Sequence, residues 1–281
     1  MTKFILKFVF MCFAVVVFAQ KTNKTTSTAP TKTSTTKPAS TPPSQTTTKA
    51  PATTTTAPAK CVPVAGKKTL AFTGSFLMNF TINENGTSKS GKIFYAFDCY
   101  QTCMIPTFDL KTNADYKMRA ITDISEGTIT MLTEDTKGKK SGLIFNIPKK
   151  VITANANTVK FTTQKTTETK VIEGYTCTKW ITNGDNGVVI VSWISDKITL
   201  NYKDMLSSIG QSFKGKSPFE NSYAKEIAGF SLETIVTDAQ KKSTTTITLS
   251  GIKQERPDGK LFSTDGYSLM DARGLPIFGG Q

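Results

Sequence analysis

Five cysteines and no histidine set the limits on the chemistry of this 281-residue chain. Without His there is no Ser-His-Asp or Cys-His relay, and zinc loses its commonest ligand. Cys12 falls inside an apolar leader, which leaves Cys61, Cys99, Cys103 and Cys177. An even number suits disulfides in an oxidising compartment, and four cysteines allow three pairings. Cys99 and Cys103 flank Tyr100-Gln101-Thr102. In an extended strand they stand about 13 Å apart, too far to bond. A turn ahead of Pro106 would bring them together, and a Cys99–Cys103 bond is the expected one. Cys61 and Cys177 form the residual pair. The four cysteines lack paired C-x-x-C spacing, so no metal is expected.

Carboxylates offer little more. Asp185, Glu226 and Glu233 are candidates for a glycosidase-like pair, but such pairs are defined in space, not by spacing along the chain. No Gly-rich phosphate loop of the right spacing precedes a helix. We expect a non-catalytic protein without a cofactor. Nucleic-acid binding is also disfavoured. The formal charge of +14 is concentrated at the start: residues 1–60 hold eight Lys and no acid, leaving 27 basic and 21 acidic residues beyond them. Arg119, Arg256 and Arg273 are the chain's only Arg, although Arg is the usual reader of bases and phosphates. The Lys excess suits anionic lipid or glycan better.

The elements that precede the folding part read in order. Lys3 and Lys7 lead into an apolar run, Phe8 to Phe18, closed by Ala19. That is the layout of a signal peptide over residues 1–19. The run is shorter than the roughly 20 residues a bilayer requires, and Cys12 lacks small residues before it. The mature chain is therefore expected to begin at Gln20, unacylated, with no membrane span after cleavage. Residues 20–60 hold 16 Thr, 6 Pro, 4 Ser and 6 Lys, with Ala as the only aliphatic residue. Such a segment cannot bury enough surface to offset chain entropy, so a disordered, extended stalk is expected.

Residues 61–281 are long enough for one substantial core and read as β. From Leu70 to Ile82 every second residue is apolar or Gly, including Phe72, Gly74, Phe76, Met78 and Phe80. This period of two predicts a long half-buried strand. Asn85-Gly86 predicts a hairpin turn into a strand over Lys92–Cys99. Further strands are expected at Tyr116–Asp123, Thr128–Thr133, Leu143–Ile147, Val159–Thr163, Thr169–Ile172, Tyr175–Thr182, Val188–Ile194, Leu232–Thr237 and Ser243–Lys253. One helix is expected over Asp204–Phe213, with Met205, Leu206, Ile209 and Phe213 on one face. The class is mainly β: a large antiparallel sheet with one or two short helices.

Ile172-Glu173-Gly174-Tyr175-Thr176-Cys177-Thr178-Lys179-Trp180 and Val191-Ser192-Trp193-Ile194-Ser195-Asp196-Lys197 resemble a "GYxCxKY" strand and a "WVTKD" strand. Both mark a family of exported bacterial domains of unknown function. Asp258-Gly259-Lys260-Leu261-Phe262 through Gly266-Tyr267 is similar to the ending of LolA-like envelope carriers, with Asp265 where those have Pro. The resemblance spans about residues 66–270. It implies a curved, half-open barrel around an apolar cavity with a helical lid. Relatives of that fold carry lipid or lipidated protein through the periplasm.

Two expectations for function follow. One is a binding or carrier module of the envelope, periplasmic or secreted, that takes a lipid or other apolar ligand. Phe72, Phe76, Met78 and Phe80 would line its wall, with Trp193 as a further candidate. The other is a surface or structural interaction protein that displays a β-domain to an envelope partner on the stalk.

Overall fold

The structure, a computed structural model, describes residues 65–66, 69–108, 117–147, 160–200 and 229–274. All of them lie within one compact unit, Ala57–Gln281. The expected signal peptide, the stalk and the helix over Asp204–Phe213 lie outside the described residues.

Twelve strands form one curved, unclosed sheet. They are β1 (Gly74–Glu84), β2 (Thr87–Asp98), β3 (Gln101–Phe108), β4 (Lys117–Asp123), β5 (Thr128–Glu134) and β6 (Lys140–Asn146), followed by β7 (Phe161–Ile172), β8 (Tyr175–Gly184), β9 (Val188–Ser195), β10 (Phe230–Asp238), β11 (Ser243–Lys253) and β12 (Ser268–Asp271). Their order is β12-β6-β5-β4-β3-β2-β1-β11-β10-β9-β8-β7. Sequential hairpins build both halves, and β1 joins them by pairing with β11. Every ladder is antiparallel except β12 on β6. The one described helical turn is a 3₁₀ turn at Gly259–Phe262, whose first turn is capped by the Asp258 carboxylate accepting from Lys260 N–H. The expected mainly-β class holds.

Local chemistry explains the turns. Asn85 and Gly86 have φ of 49° and 79°, the left-handed pair that twists a two-residue hairpin correctly. They connect Glu84 to its partner Thr87. Gly74 is needed for space: a Cβ there would lie 2.2 Å from the Lys253 carbonyl oxygen and 2.6 Å from Phe72. A register shift between Ser75 and Leu77 follows directly, a bulge at the start of β1.

Two strands differ from expectation. The strands expected over Val159–Thr163 and Thr169–Ile172 merge, since residues 161–163 and 169–172 both belong to β7, which carries a register shift between Lys165 and Thr169; Val159 lies outside the described residues. Gln101–Phe108 is strand β3, where a turn was expected. Pro106 is tolerated there because β4 pairs with β3 only over Gln101–Met104. The missing N–H thus falls where β3 has a neighbour on one side only. The turn instead occupies Cys99 and Tyr100, with Asp98 opposite Gln101. The expected Cys99–Cys103 bond is therefore a correction: Cys103 points inward from β3 as a buried free thiol. Cys177 is likewise a buried free thiol, which also removes the residual Cys61–Cys177 pair.

Two packing devices hold the sheet. Phe72, Phe76, Tyr95 and Phe97 form an aromatic cluster, with Phe76 and Phe97 stacked at 5.6 Å and Phe72 set edge-on to Phe97 at 5.4 Å. Phe230 joins at 6.1 Å from Phe76. The segment before β12 is fastened by Arg119 of β4. Its guanidinium donates to the carbonyls of Lys260 at 3.0 Å and Ser263 at 2.7 Å, and it lies 5.8 Å from the Tyr267 ring centre.

Candidate functional site

Strand register assigns the side chains to faces, because residues directly opposite each other in a ladder point the same way. Met78 opposes Ile93. Two residues along β2, Tyr95 opposes Met104. Met104 opposes Ala120, Ala120 opposes Met131, Met131 opposes Leu143 and Leu143 opposes Met270. Met118 shares the parity of Ala120. All five methionines of the strands therefore stand on one face. In the other direction, Phe80 opposes Ile247, Ile247 opposes Thr234, Thr234 opposes Ser192 and Ser192 opposes Trp180. This methionine face is mainly apolar from β12 to β11, and polar Thr234 and Ser192 interrupt it on β10 and β9. Met78, Met104, Met118, Met131, Leu143 and Ile247 are only half-buried.

The residues singled out from sequence are divided by this geometry. Phe76, Met78 and Phe80 share the methionine face. Phe72 precedes β1 and packs against Phe76 at 6.5 Å. Phe72 and Phe76 are each 1% exposed, so both belong to the aromatic cluster, whereas Met78 remains half-open. Trp193 is not brought to them. It opposes Lys179 and Glu233 on the other face. There the Lys170 ammonium sits 4.3 Å from its ring centre and is bonded at 2.8 Å to Glu233. Lys179 reaches the same ring at 6.0 Å and pairs with Glu168 at 2.9 Å. Trp193 is thus braced between two ion-paired lysines.

The remaining reactive groups are scattered. Burial pushes the Cys103 thiol up to about 12, against a smaller opposing pull from Arg119. Burial also raises Cys177, which donates to the Tyr175 carbonyl at 3.5 Å. Asp185 lies exposed in the β8–β9 turn. Glu233 lies five residues along β10 from Asp238, the partner of Val188, so its backbone stands roughly 16 Å from the end of the sheet where the Asp185 turn lies. That exceeds the range of a glycosidase pair. Glu226 lies outside the described residues. Among the described residues no three acidic or cysteine groups converge to hold a metal ion. A cavity of about 240 Å³ lies at the β1–β2 hairpin tip, lined by Ile82, Glu84, Asn85, Thr87 and Lys89. No described helix is long and apolar enough to cross a membrane.

The family described as Domain of unknown function (DUF4412) matches residues 72–265. The chain belongs to it. No curated protein matches the sequence. Among solved structures, PNGF-II aligns at 14% identity over 71% of this chain with a TM-score of 0.33, and the chain covers 31% of that protein. A DUF1329 family protein from Desulfovibrio piger aligns at 11% identity, covering 71% of this chain and 91% of that one, with a TM-score of 0.21. A domain named for outer membrane lipoprotein sorting, from Vibrio parahaemolyticus, aligns at 10% identity, covering 64% and 85%, with a TM-score of 0.19.

The methionine face is the feature that sequence reading missed. Each of these methionines sits on a different strand, so the stripe emerges only once six ladders are in register. Arg119 was counted only as one of three Arg, and its role as a clamp depends on a segment about 140 residues away.

Proposed function

We propose that the methionine face binds an apolar ligand such as an acyl chain, and that the chain acts as a non-catalytic, exported binding or carrier protein. The observation that carries this reading is the row of half-buried thioethers, Met78, Met104, Met118 and Met131, along one face of an unclosed sheet. Methionine is unbranched and polarisable, and it adapts to ligands of varied shape. A closed core would favour the branched, fixed rotamers found elsewhere in this sheet. Phe76 and Phe80 stand on the same face and form the firm part of the wall. The Trp193 brace belongs to the opposite face and is left out of the site.

The test is binding of a fluorescent fatty acid to the mature chain. Met104→Glu and Met131→Glu should each weaken binding at least tenfold while the thermal midpoint shifts little, because both positions are half-open. Absence of fatty-acid binding by the wild type would overturn the proposal. A second reading, an interaction protein of the envelope, draws on the exposed apolar residues at the two sheet edges. Val171 on β7 is 69% exposed, and Met270 on β12 is 54% exposed. Pull-down of one envelope protein that is lost in Val171→Lys, with no lipid bound, would favour it.

A further inference from the structure

The sheet has two ends of opposite charge. At one end lie the β1–β2, β5–β6, β8–β9 and β10–β11 turns and the start of β7. Lys89, Lys137, Lys139, Lys160 and Lys242 are all exposed there. Glu84 and Asp185 are exposed there as well, while the other three acidic groups described at this end are engaged. Glu134 is paired with Lys117 at 3.3 Å, Asp238 with Lys241 at 3.1 Å, and the Asp135 carboxylate accepts from the N–H groups of Lys137 and Lys139 within its own turn. At the opposite end lie the β2–β3, β4–β5 and β7–β8 turns and the ends of β9 and β11. That end carries Asp98, Asp123, Glu126, Glu173, Asp196 and Asp258, against Lys197, Lys253 and Arg256. It is also the end that holds the aromatic cluster, since Phe72 lies two residues before the start of β1 at Gly74 and Phe97 is near the end of β2. At the basic end the methionine face runs out through half-buried Ile82, Val236 and Phe161.

We propose that the basic turn end docks on an anionic lipid bilayer, so that an acyl ligand enters or leaves the methionine face through that end. The proposal rests on the reading above for its ligand, but the docking surface is a separate set of residues. Charge decides the partner. Lysines near an anionic leaflet are attracted additively, over a distance of a Debye length. The acidic end would be repelled, which fixes the orientation with the open end of the apolar face toward the lipid. A polyanion without an apolar phase would match the lysines but would give no reason for their place beside Ile82 and Phe161.

The experiment uses the mature chain with vesicles of phosphatidylcholine alone or with 30% phosphatidylglycerol. We expect binding to the anionic vesicles only, weakening as salt is raised. The triple variant Lys137→Glu, Lys139→Glu, Lys242→Glu should lose at least tenfold in vesicle affinity, with an unchanged melting temperature and unchanged fatty-acid binding in solution. Lys197→Glu with Lys253→Glu at the other end should behave as wild type. Equal vesicle affinity for wild type and the triple variant would overturn the proposal, since the lysines of residues 20–60 would then account for any binding. So would binding to neutral vesicles alone. If vesicles bind through the turn end while no fatty acid binds, the docking surface stands and the reading of the methionine face falls. If fatty acid binds but vesicles do not, the reverse holds.

Discussion

Strands β3 to β6 are apolar on both faces, and the two faces are built differently. Facing the C-terminal segment are Cys103, Ile121 and Leu132, at most 4% exposed. Facing the other way from the neighbouring positions are Met104, Met118, Met131 and Leu143, all half-buried. The first face is closed by the chain itself, with Arg119 fastening residues 260–263 across it. Its packing leaves no slack: a Cβ on Gly142 would lie 2.7 Å from both Leu132 and Leu269. The second face is filled by flexible thioethers. The same four strands therefore carry a fixed core on one side and an adaptable surface on the other. The difference teaches that one set of strands can be apolar on both sides by different means, with tightly packed side chains where the chain closes over them and flexible thioethers where they are half-buried.

The sharpest way to break this comparison is to truncate two adjacent residues that point in opposite directions. Leu132→Ala should cost about 3 kcal/mol in urea unfolding, as for a fully buried Leu that leaves a cavity. Met131→Ala should cost about 1 kcal/mol or less, because its side chain is half-exposed and replaceable. Equal losses would mean that both faces are closed cores, and the ligand reading would lose its footing.

The closed face also governs the cysteines. Cys103 stays a thiol beneath it, with its pKa raised by burial to about 12. It should resist alkylation at pH 8 until the protein unfolds. Cys99, in the turn at the rim, is a half-cystine, and neither Cys103 nor Cys177 is its partner. Cys99→Ser should then lower stability by about 2.5 kcal/mol, and non-reducing peptide maps should show Cys99 joined to another cysteine-containing peptide. A map joining Cys99 to Cys103 would contradict the closed face as described.

The clamp itself comes next in size. Arg119→Met keeps the length and apolar stem of the side chain but removes both charge-assisted bonds to the carbonyls of residues 260 and 263. The loss should be about 2 kcal/mol, with faster hydrogen exchange confined to residues 258–272. Fatty-acid binding should be untouched, since Arg119 opposes Leu132 on the closed face. Loss of ligand binding in this variant would show that the two faces are coupled.

Much of this fold is legible in the sequence, and the exceptions have physical reasons. Ser243–Lys253 matches β11 at both ends because its apolar and Thr residues alternate between clear turn signals. The pattern Val188-Val189-Ile190-Val191 is apolar in both phases, so sequence alone cannot say which face takes Trp193. β3 is hidden by Pro106, whose lost N–H is harmless only because of where β4 stops, a tertiary fact. β12 has four residues, too few for a period to register, and is held by its parallel pairing with β6. The aromatic half of the wall is legible from Phe72 to Phe80. Of the methionine half only Met78 is, beside Phe76 and Phe80, because each of the other thioethers stands alone on its strand.

The smallest effect tests the rim of the closed face. Asp123 ends β4, and its carboxylate organises the β4–β5 turn. One oxygen accepts from Ser125 N–H at 2.9 Å, Ser125 hydroxyl at 2.7 Å and Glu126 N–H at 2.9 Å. The other accepts from the Gln101 amide at 3.0 Å. Burial alone would push its pKa up, but these bonds to the Glu126 and Ser125 backbone and to the side chains of Ser125 and Gln101 outweigh it. The result lies below the ordinary 3.8. A carboxyl with a depressed pKa contributes stability that is present above its unfolded-state value and lost as pH falls through its folded-state value. Asp123→Asn keeps one acceptor oxygen and removes the charge. It should cost about 1 kcal/mol at pH 7, and the gap to wild type should narrow below about pH 4 as the wild-type carboxyl becomes protonated. Urea unfolding of both proteins at pH 7 and pH 2.5 reads this directly. A gap that stays constant across that range would mean that the turn is held by shape and not by the charge of Asp123. The rim would then be as insensitive to ionisation as the apolar interior it borders.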